Sequence, residues 1–192
     1  METSPKGLPY SPPDPRKGLE REIFLRALAG RKRLLDMQFG NGSRAALALC
    51  ETGLSVTALG TESVVYAEPC AGYLGVYFRE RLEFQSIAPD VLAESLEGVS
   101  FEMIDAIHID GSAEADVTTI CLKAAATHAR PGTVLILTAA DQEPLADALR
   151  ALCAQAVLTP YGDLLSSDQS CFIVASNLPA ERVAPLFEPS VA

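Results

Sequence analysis

The sequence predicts an α/β fold: a doubly wound, mostly parallel sheet of seven strands whose last strand is antiparallel. Three observations carry that expectation. Short aliphatic and β-branched runs alternate with helix-forming segments from residue 33 to residue 137. The first run ends in an acid and opens into a glycine loop, Asp36-Met37-Gln38-Phe39-Gly40-Asn41-Gly42, before the helix formers of residues 45–50. A continuous apolar run at 133–137 has the character of a central parallel strand buried on both faces. Strand, glycine loop and helix together open α/β nucleotide-binding domains. Glycine lets the chain turn sharply without a side chain in the way, and the helix start presents unpaired N–H groups.

The elements follow in order. Residues 1–17 carry Pro5, Pro9, Pro12, Pro13 and Pro15, the composition of an extended arm. Leu19, Ile23, Phe24, Ala27 and Leu28 recur at helical spacing among charged residues. They predict an amphipathic helix within 18–30, stopped near Gly30, that covers part of the core or a partner; helix or arm is a candidate homodimer contact. The domain itself spans 31–192. A strand at 33–37 leads through the loop to a helix ending near Thr52, with Gly53 as its C-cap. A second strand at 55–59 completes a right-handed parallel crossover.

Residues 64–81 resist a simple reading, because Pro69, Gly72 and Gly75 interrupt a pattern that is helical at 73–78. A third strand falls at 82–87 and a short helix at 90–96. A fourth strand at 104–109 ends in Asp110-Gly111. Ser112 then caps a helix with Glu114 and Asp116 in its first turn and a buried stripe of Val117, Ile120, Cys121, Ala124, Ala125 and His128. The fifth strand is 133–137. Pro144 stands near the start of a further helix. Strands at 154–159 and 171–176 are joined by a connection without a helix, so they run antiparallel.

Composition narrows the function. Nearly half of the 192 residues are apolar, which describes a globular chain with one sizeable core. No apolar run approaches the ~18 residues of a membrane span, and no signal-peptide core opens the chain, so a cytoplasmic protein is expected. Five cysteines without metal spacing read as reduced, mostly buried thiols. The net charge is −10. Residues 1–33 hold eight Lys/Arg and four Asp/Glu, whereas the remainder holds seven and twenty-one. Such a body repels a phosphate backbone, so nucleic acid is not expected as a partner.

Three stretches resemble one family. Leu34-Leu35-Asp36-x-x-x-Gly40-x-Gly42-Ser43 resembles the first cofactor motif of class I S-adenosylmethionine-dependent methyltransferases. Ile107-His108-Ile109-Asp110-Gly111 resembles the Ile-His-x-Asp-Gly of a small-molecule branch, which includes O-methyltransferases and hydroxylase-partner proteins of antibiotic pathways. Arg130-Pro131-Gly132-Thr133-Val134-Leu135-Ile136 resembles the Pro-Gly-Gly leading into that family's fifth strand. The resemblance covers about residues 33–176. It implies a Rossmann-like sheet, S-adenosylmethionine as cofactor and a small-molecule acceptor. It also implies cofactor contacts at Asp36, Gln38, Gly40, Gly42, Gly60, Glu62, Ser86 and Asp110, and catalytic roles for His108 and Asp110.

The departures are specific. Gln38 stands where the family's first glycine belongs. Gly60 ends the second strand where the family has an acid for the ribose hydroxyls, and Glu62 lies two residues on. Metal-dependent members carry an acidic pair after the fifth strand, where this chain has Thr138 and Ala139. A hard divalent cation needs several oxygen ligands, so methyl transfer without a metal is expected.

Single residues keep two readings each. Asp36 holds the cofactor or caps the loop amides. His108 and Asp110 point the same way along a strand and can form a general base, or His108 is a satisfied core histidine. Tyr66, Tyr73, Tyr77 and Phe78 wall a pocket or belong to the core. Three functions follow. The first is methyl transfer from S-adenosylmethionine to a small molecule. The second is the same fold without methyl transfer, as a partner subunit or a repurposed enzyme. The third is a nicotinamide-dependent oxidoreductase, since Gly40-x-Gly42-x-x-Ala45 also fits a dinucleotide fingerprint. Asp36 in the strand end and Gly60 in the ribose position weigh against the third.

Overall fold

The computed structural model describes residues 15–40, 42–61, 64–110, 115–130, 132–138, 159–160 and 172–176. Helix α1 (Pro15–Leu28) begins on a proline, whose fixed φ suits the first helical position. It therefore takes in residues 15–17, which the proline content had assigned to the arm. Strand β1 (Arg33–Asp36) leads to α2 (Ser43–Glu51), and β2 (Ser55–Gly60) to α3 (Val64–Phe78). Strand β3 (Leu82–Ser86) is followed by a 3-10 turn and α4 (Leu92–Glu97). Strand β4 (Ala106–Asp110) precedes α5 (Ala115–His128), then come β5 (Val134–Thr138), β6 (Thr159–Pro160) and β7 (Phe172–Ser176).

The ambiguous stretch is one helix, α3, with Pro69 inside it. Glycine and proline hid its period, and tertiary packing of Ala67, Ala71 and Leu74 overrode the local preference. Of the strand predicted at 154–159 only residue 159 is described, in β6 (Thr159–Pro160); 154–158 lie outside the described residues. The helix expected near Pro144, and Ser112 and Glu114, lie outside the described residues.

The strands lie in the order β3-β2-β1-β4-β5-β7-β6. From β3 to β5 all pairings are parallel, while β7 runs antiparallel to β5. Alternation of side chains sends two apolar sets to opposite faces. Leu34, Val56, Ala106, Val134 and Ile136 meet Phe24 and Leu28 of α1, Ala45 and Leu49 of α2 and Leu74 of α3. Leu35, Leu59, Ile107, Ile109, Leu135 and Leu137 meet Leu92 and Leu96 of α4 and Val117, Cys121 and Leu122 of α5. Each fully buried Leu or Ile contributes roughly 1.5–3 kcal/mol, so these two layers fix the sheet between its helices. His128 does not join the second layer: it is exposed at the end of α5 and stacks on Phe101 at 5.0 Å between ring centroids.

One consequence of the strand order positions the site. From β1 the chain moves outward through β2 to β3, then crosses back to place β4 on the other side of β1. That reversal opens a crevice at the carboxyl ends of β1 and β4, where open α/β sheets bind ligands.

Candidate functional site

The loop after β1 is built by backbone hydrogen bonds. Met37 N–H donates to the His108 carbonyl at 3.0 Å, Phe39 N–H to the Leu59 carbonyl at 3.0 Å and Gly42 N–H to the Phe39 carbonyl at 2.8 Å. Gly40 and Gly42 take φ of +52° and +73°. At Gly40 an added Cβ would meet nothing closer than the Gln38 carbonyl oxygen at 3.9 Å, so the backbone there is open to close approach. Gly42 precedes the first turn of α2.

Asp36 and His108 are register partners on neighbouring strands. His108 Nδ1 lies 3.0 Å from Asp36 Oδ1, and Nε2 lies 3.1 Å from Thr138 Oγ1. With Nδ1–H donating to the carboxylate, neutral Nε2 accepts the Thr138 hydroxyl. The row crosses three strands, β5, β4 and β1, on one face of the sheet. Phe24 of α1 closes over it, edge-on to the imidazole at 5.7 Å, and the Arg44 guanidinium lies 5.6 Å over the Phe24 ring. His108 is 1 % exposed. A general base must reach the acceptor's proton. Both nitrogens of His108 are engaged beneath Phe24, so in this arrangement it positions Asp36 rather than touching an acceptor.

Four buried polar side-chain atoms have no hydrogen-bond partner among the described residues: Arg31 Nε, just before β1, and Asp36 Oδ2, Gln38 Oε1 and Thr61 Oγ1. The last three stand at the carboxyl ends of β1 and β2. Buried polar groups are normally paired, because leaving one unpaired costs about 1–3 kcal/mol. Gln38 is anchored at its other end, where Nε2 donates to Thr118 Oγ1 of α5 at 3.2 Å. Thr61 escaped the sequence reading. Its signal was the Gly60-Thr61 step at a parallel strand's carboxyl end, which a search for an acid passes over.

The remaining candidates are placed as follows. Asp110 is half-buried at the end of β4, beside Thr138 in the register. Gly60 and Ser86 are register partners at the ends of β2 and β3; Gly60 is buried and Ser86 exposed. Glu62 lies outside the described residues. Gly60 is not among the positive-φ glycines, so its missing side chain does not serve a turn. Tyr73 and Tyr77 do not belong to the core. They are 66 % and 65 % exposed on α3 and pair edge-on at 5.3 Å. A hydrogen bond to Tyr77 raises the Tyr73 hydroxyl above its ordinary pKa. Phe78 is half-buried, and the Tyr66 side chain lies outside the described residues.

Among the described residues no group of three His, Cys, Asp or Glu side chains is placed to hold a metal ion. Burial, with the negative charge of Asp36 added, pushes the Cys121 thiol up to about 12, which excludes a thiolate nucleophile there. No helix among the described residues is long and apolar enough to cross a membrane. A separate cleft of about 450 Å³ opens at the amino ends of the strands, lined by Lys32, Arg33, Asp105 and Arg130 among others. It is at the opposite end of the sheet from Gly40.

No protein-family model matches the chain, and no curated protein matches it in sequence. Solved structures do. An O-methyltransferase family protein from Burkholderia thailandensis superposes with a TM-score of 0.63 at 14 % identity, covering 84 % of this chain and 55 % of that one. This chain therefore spans little more than half of that protein's length. The O-methyltransferase from Bacillus cereus, in complex with SAH, gives 0.57 at 16 % identity over 87 % of this chain and 82 % of that one. An rRNA methylase from Streptococcus thermophilus gives 0.58 at 18 % identity over 88 % and 100 %. At these identities the likeness is one of fold, and it extends over most of the chain. The chain has the class I S-adenosylmethionine-dependent methyltransferase fold.

Proposed function

We propose that this chain binds S-adenosylmethionine in the crevice between β1 and β4 and transfers its methyl group to a small molecule without a divalent metal. The observation that carries the reading is the group of buried, unpartnered acceptors, Asp36 Oδ2, Gln38 Oε1 and Thr61 Oγ1, around the open backbone of Gly40. A polar ligand with several N–H or O–H donors satisfies them. The Bacillus cereus neighbour, in complex with SAH, supports the same ligand class.

S-adenosylmethionine, when bound, supplies a methyl group on a cationic sulfur. The residues do the rest. Asp36, held through His108 and Thr138, accepts a hydrogen bond at Oδ2 in a fixed orientation. Gln38, held by Thr118, does the same at Oε1. Asp110, at the carboxyl end of β4, is the residue that would take a proton from an acceptor hydroxyl. The net charge of −10 attracts a cationic donor and repels a polyanionic acceptor, which favours a small molecule over RNA. Thr138 is hydrogen-bonded to His108 and replaces a metal-ligating carboxylate, which favours metal-free transfer.

Binding without transfer is the second reading. The sealed position of His108 favours it, because that leaves Asp110 as the one proposed base. Calorimetry with S-adenosylmethionine, S-adenosylhomocysteine and NAD separates the cases. Binding of the first two and not of NAD is expected. Methyl release from labelled donor into small-molecule extracts then distinguishes transfer from binding alone. NAD binding, or no binding of either sulfur ligand at millimolar concentration, overturns the reading.

A further inference from the structure

Aromatic rings lie against two glycines of the candidate site. A Cβ on Gly60 would stand 2.8 Å from Phe84 Cζ, 2.9 Å from Cε2 and 3.2 Å from Ala67 Cβ of α3. A Cβ on Gly42 would stand 2.7 Å from Phe39 Cζ and 3.3 Å from Leu74 Cδ1. The two rings touch each other, with centroids 5.0 Å apart and planes tilted by 59°. Phe39 is tied to β2 through its N–H bond to Leu59, and it is buried. Phe84 is half-buried against the layer that holds Phe39 and Ala67 of α3, so its ring leaves Gly60 only at the expense of those contacts. The side-chain space of position 60 is filled by a neighbour's ring.

Position 60 matters for ligand choice. It stands at the carboxyl end of β2, twenty residues after Gly40. In nucleotide-binding α/β sheets a carboxylate at that spacing binds the ribose hydroxyls. Resting on the nucleoside-sulfur ligand proposed above, we infer that Phe84 is a specificity-determining residue: its ring excludes a carboxylate from position 60, so the ribose end of the site is an aromatic wall that does not read the 2′-hydroxyl. A site built to hydrogen-bond a hydroxyl rejects the analogue lacking it by large factors, whereas an apolar wall barely distinguishes the two.

The test is calorimetry with S-adenosylhomocysteine and its 2′-deoxy counterpart on the full chain. Four proteins are compared: parent, Gly60→Asp, Phe84→Ala and the double variant. Melting temperatures are recorded for each, and Phe84→Leu replaces Phe84→Ala if the smaller residue unfolds the protein. The parent should bind the two ligands within about threefold of each other. Gly60→Asp alone should lower the melting temperature and leave affinity for S-adenosylhomocysteine no tighter. The double variant should bind S-adenosylhomocysteine at least tenfold tighter than Phe84→Ala does, and discriminate against the 2′-deoxy ligand by tenfold or more.

Tenfold discrimination by the parent, or tightening in Gly60→Asp alone, would each overturn the inference while leaving the binding reading intact. So would a double variant no tighter than Phe84→Ala. If no protein of the set binds S-adenosylhomocysteine at millimolar concentration, the binding reading falls and this inference falls with it.

Discussion

His108 Nδ1 stands 3.0 Å from Asp36 Oδ1, and both side chains are about 1 % exposed beneath Phe24. A carboxylate so placed depends on its one ring partner. Removing the hydrogen-bond donor of a buried carboxylate leaves that charge unsatisfied, which costs more than the roughly 1–3 kcal/mol of a neutral group. His108→Phe should therefore lower stability by about 3 kcal/mol in urea unfolding at neutral pH. Adding Asp36→Asn should recover part of that loss, because the buried charge goes with it. A His108→Phe cost below about 1 kcal/mol would show that Asp36 does not need the imidazole.

Thr61 yields a prediction in which stability and affinity separate. Its buried hydroxyl has no partner among the described residues. Thr61→Val removes an unpaired polar atom at nearly constant volume, so the free protein should be as stable as the parent or slightly more so. A ligand that pairs with the hydroxyl loses about 1 kcal/mol, roughly fivefold in affinity. Equal affinity for S-adenosylhomocysteine in parent and variant would remove Thr61 from the site.

Much of this arrangement was legible in the sequence, for identifiable reasons. The acid-to-glycine passage at Asp36–Gly40 and the apolar run at 133–137 are local patterns with strong backbone consequences, and both fall in the central sheet. The direction of His108 and Asp110 along one face follows from strand alternation alone. That His108 is covered by Phe24 does not, because the cover comes from a helix eighty-odd residues earlier. Gly60 read as the loss of an acid, and only the packing of Phe84 shows why no side chain fits there. Tyr73 and Tyr77 show the converse. Their spacing has a core-like character, yet the helix turns them outward because Ala67, Ala71 and Leu74 take the inner face.

Metal independence has a direct check. The Thr138 hydroxyl is 3.1 Å from His108 Nε2, and a neutral hydroxyl in place of a carboxylate beside Asp110 is a poor start to an octahedral oxygen site. Binding of S-adenosylmethionine and any methyl transfer should survive excess chelator unchanged. Loss of transfer that magnesium restores would place ligands in the chain that the proposed mechanism lacks.

Asp105 joins three strands far from the candidate site, at their amino ends. Its Oδ2 accepts the Lys32 and Arg33 N–H groups at 2.9 and 3.2 Å, and Oδ1 accepts the Arg130 guanidinium at 2.6 Å. Its backbone also pairs with Arg33 and Val134. Burial by itself would raise the carboxyl pKa, but the two backbone donors and Arg130 outweigh it and hold the group below its ordinary value. A depressed folded-state pKa stabilises the fold above the unfolded value, about 3.9. That contribution is lost as pH falls through the lower folded value. Asp105→Asn should therefore be less stable than the parent at pH 7, by about 1 kcal/mol or more for the weakened charged bonds. The gap should persist to about pH 5 and close as the parent's carboxyl protonates near pH 3 and below. Melting temperatures at pH 7, 5 and 3 read this directly, and ligand affinity at pH 7 should not change, since Gly40 and Asp36 lie at the other end of the strands. A gap of constant size across the three pH values would mean that shape, and not charge, is what Asp105 supplies.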